Sequence, residues 1–277
     1  MTTYGMDLSS QFAGKVVVVT GATQGIGEAA ARLMAQRGAQ AIVLCGRNGA
    51  NGAKICSELN GNTDSQVKYV RTDLSVVSDC RALLEITDDN FGTVDILLNC
   101  AGETSRGSII DTSPELFDKL FAVNVRAPFF LIQDVAKIMM RDNHGGAIAS
   151  ITSMAAWGGQ PKIAAYSASK AALMTLTRNV AFGLLRHGIR VNALNIGWTE
   201  TPGEHRVQTK VEGHSDNWLE LAQSHLPAGR LIQVEEVARA LAYLVSEESG
   251  LMTGSLVDFD QSVVGSYESP PEPYPLD

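Results

Sequence analysis

The chain has no run of lysines or arginines, no Cys-x-x-Cys pair and no uninterrupted apolar stretch long enough to span a bilayer. Each absence excludes something. At a formal net charge of −8, the missing basic cluster argues against a nucleic-acid groove or a membrane-surface patch. The four cysteines, Cys45, Cys56, Cys80 and Cys100, are scattered, and three lie in or beside apolar runs. They read as buried free thiols in a reducing compartment. Met1 to Phe12 lacks the basic-then-apolar pattern of a signal peptide, so a soluble, cytoplasmic protein is expected. His205, His214 and His225 share one stretch with Glu200, Glu204 and Asp216, but their spacings of nine and eleven match no common metal pattern. No metal is expected.

What the chain does have is enough apolar sequence for a large core: 277 residues, 45% hydrophobic and 19% charged. Lys15 to Thr20 is a β-branched run of the kind buried on both faces of a parallel sheet. It leads into Gly21-Ala22-Thr23-Gln24-Gly25-Ile26-Gly27 and then a helical stretch, Glu28 to Arg37. Strand, glycine turn and helix form a phosphate-binding element, in which backbone N–H groups and the helix N-terminus face the phosphates. The spacing is G-x-x-x-G-x-G, and no Gly-Lys-Ser/Thr closes it, so it is not a P-loop.

The alternation continues. Strands are expected at Ala41 to Cys45, Val67 to Arg71, Val94 to Asn99, Ala147 to Thr152, Ile189 to Asn195 and Leu256 to Phe259. Helices are expected at Gly49 to Leu59, Asp79 to Asp89, and from Ser113, an N-cap followed by Pro114, to about Arg141. One further helix carries Tyr166, and another runs from Val234 to Ser246. The pattern predicts one α/β domain over 1–277, with a doubly wound, mostly parallel seven-stranded sheet and helices on both faces. The stretch 197–230 breaks the alternation beyond the sixth strand, where ligands bind in open α/β sheets, and is a candidate lid. The proline-rich tail, about 265–277, is expected to be extended and docked on a neighbouring subunit.

Tyr166 and Lys170 lie one helical turn apart on the same face. A tyrosine with its ordinary pKa near 10 is a poor acid or base at neutral pH, and a neighbouring ammonium favours its phenolate. Such a pair alone also fits an exposed helix with no chemistry.

Taken together the motifs resemble the short-chain dehydrogenase/reductase family, from about Leu8 to Phe259. They are the Thr20-to-Gly27 turn, Asp73-Leu74, Asn99-x-Ala101-Gly102, Asn124, Ser153 thirteen residues before Tyr166, and Tyr166-x-x-x-Lys170. The resemblance implies hydride transfer between a nicotinamide and a carbonyl or secondary-alcohol carbon. In it Tyr166 is the general acid or base, and Lys170 lowers the tyrosine pKa and holds the nicotinamide ribose. Ser153 holds the substrate oxygen, and Asn124 anchors a water that links Lys170 to solvent. Gly21, Thr23, Gln24, Gly25, Ile26, Gly27, Asp73, Leu74, Asn99, Ala101 and Gly102 would line the cofactor, joined by Gly197, Thr199 and Thr201. Ile196 stands where the family usually has proline, which restores an N–H donor at that loop. The family is commonly tetrameric through the two long helices, so a homo-tetramer is expected.

The second strand ends in Gly46-Arg47, where NAD-using relatives have an aspartate. Arg47 can pair with a 2′-phosphate, whereas Gln24 stands where many NADP-dependent relatives carry a second basic residue; with one of the two signals present, NADP(H) is favoured over NAD(H). Arg47 can equally stack on adenine or face solvent. Glu103, Ser153, Trp157 and Trp198 are candidate substrate contacts, and with two indoles and a carboxylate they suggest a sugar, polyol or other polar ketone or aldehyde; each Trp can equally pack the lid onto the core. Two other functions stay open. One is a 3-oxoacyl-thioester reductase, for which the −8 charge offers little support. The other is a regulator that senses NADP without catalysis, a class that generally loses the tyrosine or lysine that is kept here.

Overall fold

A computed structural model describes residues 7–264 apart from residue 216, so the tail lies outside the described residues. Seven strands form one sheet in the order β3-β2-β1-β4-β5-β6-β7, and every pairing is parallel rather than mostly so. The strands are β1 (Val16–Thr20), β2 (Ala41–Gly46), β3 (Gln66–Arg71), β4 (Ile96–Asn99), β5 (Gly146–Ser153), β6 (Ile189–Ile196) and β7 (Leu256–Phe259). Val17, Val18 and Val19 have no exposed surface, as expected of a central strand covered on both faces. One core layer joins the odd valines of β1 to α1 (Gly25–Gln36) and α9 (Val234–Val245), and the other joins Val18 to α3 (Val77–Phe91) and α5 (Ala127–Asp142). Neighbours of β1 lead away in opposite chain directions, which opens the crevice between β1 and β4 at their carboxyl ends.

Two elements depart from expectation. The long helix after Ser113 is interrupted: α4 (Pro114–Phe121) passes through a π-turn, Ala122–Arg126, into α5. Ser113 does cap it, its Oγ accepting from the Leu116 N–H at 3.2 Å. The 197–230 segment is also not irregular. It contains α7 (Pro202–Arg206), a π-turn over Val207–Val211 and α8 (Trp218–Ser224). Its helical pieces are only five to seven residues long, too short for a search for apolar periodicity to find. The remaining helices are α2 (Gly49–Asn62), capped by the Asn48 side chain, and α6 (Ala164–Leu184).

Candidate active site

The carboxyl ends of β1, β4, β5 and β6 stand side by side, so loops far apart in sequence meet. Thr20 ties the first two together: its Oγ1 accepts from the N–H groups of Cys100 and Ala101 at 3.0 and 3.1 Å. That closeness explains Gly21. Its φ is +66°, and a Cβ there would lie 2.8 Å from the Ala101 Cα. Gly27 admits no side chain either, because a Cβ would stand 2.5 Å from the Gly21 carbonyl oxygen. The turn is thus a bare backbone cradle, with Gly25 and Ile26 opening α1. Thr23 is buried beneath it, and the Gln24 Oε1 accepts from the Arg206 guanidinium of α7 at 2.9 Å.

Asn99, Ala101 and Gly102 end β4. The Asn99 Nδ2 donates to the Ser150 Oγ at 3.3 Å, while its Oδ1 is buried with no partner among the described residues. Asp73 turns back on Ser75, accepting from its N–H and its hydroxyl at 2.9 and 2.7 Å. These bonds hold the Asp73 carboxyl below its ordinary range, with a smaller contribution from Arg47. Leu74 is buried and Arg47 is exposed. At Gly46 a Cβ would lie 2.8 Å from the Thr23 Cγ2, so Thr23 occupies the room an acidic side chain would need. Beyond β6, Thr199 is buried with its hydroxyl donating to the Gly197 carbonyl at 3.1 Å, and Thr201 caps α7 by accepting from the Glu204 N–H at 3.0 Å. Asp260 packs against Gly197 closely enough to leave no room for a Cβ.

The catalytic candidates converge above this cradle. Ser153 ends β5 and accepts from the Ala155 N–H at 3.1 Å. Its hydroxyl lies close enough to the Tyr166 phenol to favour the phenolate. Lys170 is 2% exposed and its Nζ donates to the Ile151 carbonyl at 2.9 Å. Gly102 borders the same space, because a Cβ on it would stand 3.5 Å from the Lys170 Nζ and 3.7 Å from the Asn124 Oδ1. Asn124 sits at the centre of the π-turn with no exposed surface. Its Nδ2 donates to the Glu103 carbonyl and the Ser169 Oγ, both at 3.0 Å, and its Oδ1 accepts from the Glu103 N–H at 2.8 Å. The widened turn brings this residue onto the β4 loop, a common use of π-bulges at functional sites.

Burial raises the Tyr166 pKa above its ordinary value, opposed by the Ser153 hydroxyl and by the charge of Arg106, while Glu204 raises it further. The Lys170 Nζ lies 5.9 Å from the Tyr166 ring centroid. Burial lowers the Lys170 pKa to about 8, against a weaker opposing effect of Cys100.

Two candidate substrate contacts are engaged elsewhere. The Glu103 carboxylate pairs with Lys119 at 2.7 Å and accepts from the Ser105 hydroxyl at 2.6 Å. The Trp157 indole N–H donates to Asp258 at 3.1 Å. Beside Trp198 stands Glu204, whose Oε1 accepts from the Trp198 indole at 2.9 Å, Gln208 at 2.7 Å and Arg106 at 3.2 Å. No motif marks Arg106 or Glu204. The one sequence signal is the spacing of Glu204, Gln208 and Glu212 at four, which places them on one helical face.

The family described as enoyl-(acyl carrier protein) reductase matches residues 21–261. An uncharacterized oxidoreductase of Thermotoga maritima is 37% identical over 90% of this chain and 97% of its own. The chain belongs to the short-chain dehydrogenase/reductase family. A 3-oxoacyl-(acyl-carrier-protein) reductase of the same organism is 32% identical over 91% of this chain and 98% of its own. Among solved structures, an actinorhodin polyketide ketoreductase variant with NADPH superposes with a TM-score of 0.83, at 29% identity over 90% of this chain and 97% of that one. Membership makes this chain an oxidoreductase acting on alcohol or carbonyl groups with a nicotinamide cofactor. No helix among the described residues is long and apolar enough to cross a membrane.

Proposed function

We propose that the protein is an NADP(H)-dependent oxidoreductase of one domain that interconverts a polar ketone or aldehyde, of the sugar or polyol kind, with its secondary or primary alcohol. The observation that carries this reading is the convergence of Tyr166, Ser153 and the buried Lys170 beside the Gly21–Gly27 cradle. The cradle suits a dinucleotide: its backbone is bare at Gly21 and Gly27, and the buried Asn99 Oδ1 lacks a donor among the described residues. When bound, the nicotinamide supplies or accepts the hydride.

The chain's own residues do the rest. Gly21, Gly25, Ile26 and Gly27 face the phosphates with N–H groups, assisted by Thr23, Gln24, Thr199 and Thr201. Asp73 and Leu74 flank the adenine, and Gly197 lies at the carboxamide. Ser153 donates to the substrate oxygen and steadies charge that develops on it. Tyr166 delivers a proton to that oxygen in reduction and removes it in oxidation. Lys170 holds the ribose, and Asn124 fixes the β4 loop beside it. The 197–230 segment acts as the lid.

NADP(H) is supported by Arg47 at the end of β2 and by the absence of room at Gly46 for a carboxylate that would repel the 2′-phosphate. Titration with NADPH and NADH tests this; equal affinity for the two, or tighter NADH binding, would remove it. A 3-oxoacyl-thioester reductase is the second reading, favoured by the printed names of the matching family and of one relative. Turnover of acetoacetyl thioesters in preference to polyols would establish it. Tight NADPH binding without turnover of any carbonyl or alcohol would instead mark a sensor.

For assembly, a homo-tetramer through α4–α5 and α6 is supported by the exposed Phe117, Phe129 and Phe182 on those helices. A monomer in sedimentation would refute it. A cytoplasmic, reducing location is consistent with the four free cysteines.

A further inference from the structure

The β4 loop and the lid meet on a single arginine. Arg106 Nη2 contacts the Glu204 Oε1 at 3.2 Å, and its Nε lies 3.4 Å from the Glu212 Oε1. The loop is fixed to the start of the tyrosine's helix: Gly107 donates to the Lys162 carbonyl and Ala164 donates back to Gly107, both at 3.1 Å. Arg106 is therefore held a few residues from Tyr166, and Glu204 is brought to the same place. Both charges act on the Tyr166 phenol.

The hydrogen bonding at Glu204 is one-sided. Oε1 accepts from Arg106, Trp198 and Gln208, and among the described residues no donor reaches Oε2. Three donors fix the orientation of a carboxylate that is only 14% exposed and leave its second oxygen available. Trp198 is packed against Trp218, their ring centroids 6.0 Å apart, yet remains 38% exposed beside that oxygen's carboxylate. An acceptor carboxylate next to an indole suits a neutral ligand that carries hydroxyl donors on a carbon frame. An anionic substrate would meet two glutamates for one arginine.

We propose that Glu204 determines specificity: its Oε2 accepts a hydroxyl of a polyhydroxylated substrate whose reacting carbinol lies at Tyr166. Arg106 is the positioning residue that holds Glu204 in place. This inference rests on the oxidoreductase reading above and adds the residue that selects the substrate.

The test compares matched alcohols with NADP as acceptor: cyclohexanol against myo-inositol, and hexan-2-ol against galactitol and sorbitol. The wild type is expected to favour the polyhydroxylated member of at least one pair in kcat/KM. E204A should lower that preference about ten- to a hundredfold, the scale of losing one hydrogen bond to a charged group. E204Q, which keeps the shape, should lower it less, and R106M should lower it through KM for the polyol. Melting temperatures and NADPH affinities of the variants separate this from misfolding; if E204A does not fold, E204Q decides. A wild type that turns over the simple alcohols as well as the polyols, or an E204Q that slows both members equally, would overturn the role of Glu204 and leave the oxidoreductase reading intact. No turnover of any carbonyl or alcohol would overturn both.

Discussion

Lys170 is buried in an environment that lowers its pKa from 10.5 to about 8, and this has a measurable cost. Holding the ammonium less tightly by that margin destabilises the folded chain by about 3 kcal/mol at neutral pH. Replacing Lys170 with Met keeps the volume and removes the charge, but takes a donor from the Ile151 carbonyl, now bonded at 2.9 Å. That loss costs about 1–2 kcal/mol. Lys170→Met is therefore expected to be more stable than the wild type at pH 7, by about 1–2 kcal/mol, while inactive. The sign of the pH dependence follows from the shift. Below about pH 8 the lysine is charged in both folded and unfolded chains, and its burial penalty is fully present. Between about 8 and 10.5 the folded chain has released the proton that the unfolded chain still binds, so wild-type stability rises with pH relative to the variant. Urea unfolding of both proteins at one concentration, from pH 7 to 10, should show the variant's advantage shrinking as pH rises. A variant less stable at pH 7, or a gap that ignores pH, would refute the reasoning.

Other substitutions probe the cofactor end. Gly46→Asp should fail to improve NADH binding and should lose about 1–3 kcal/mol of stability through its clash with Thr23, while adding Thr23→Ala should recover much of the loss; an unaffected single variant in thermal melting would contradict the packing. Arg47→Ala should weaken NADPH binding about tenfold or more with little effect on NADH, as measured by fluorescence titration. Gly27→Ala should abolish binding of either cofactor, because its Cβ would stand 2.5 Å from the Gly21 carbonyl oxygen.

The centre of the sheet is legible because β1, β2 and β4 are nearly continuous apolar runs, each buried throughout. Helix starts were legible where a side chain caps them, as at Ser113. The π-turn at Asn124 was not, since a hydrogen-bond offset of one residue leaves no mark on composition or period. The lid helices leave little trace because they are short: α7 spans five residues and α8 seven, too few to establish an apolar period. Glu103 was a fair candidate by position, and only the fold reveals that Lys119 takes its carboxylate. Arg106 belongs to no motif. Its contact with Glu204 joins the β4 loop to α7 across 98 residues of sequence.

The central claim is that proton transfer at Tyr166 drives turnover on a nicotinamide cofactor bound beside it. Steady-state NADPH oxidation by wild type and Tyr166→Phe, on a ketone the wild type reduces, tests it most directly. The account predicts that the variant loses about 10²–10⁴-fold in kcat, the scale of a general acid, and that its NADPH dissociation constant changes little. A variant that keeps wild-type kcat would contradict it.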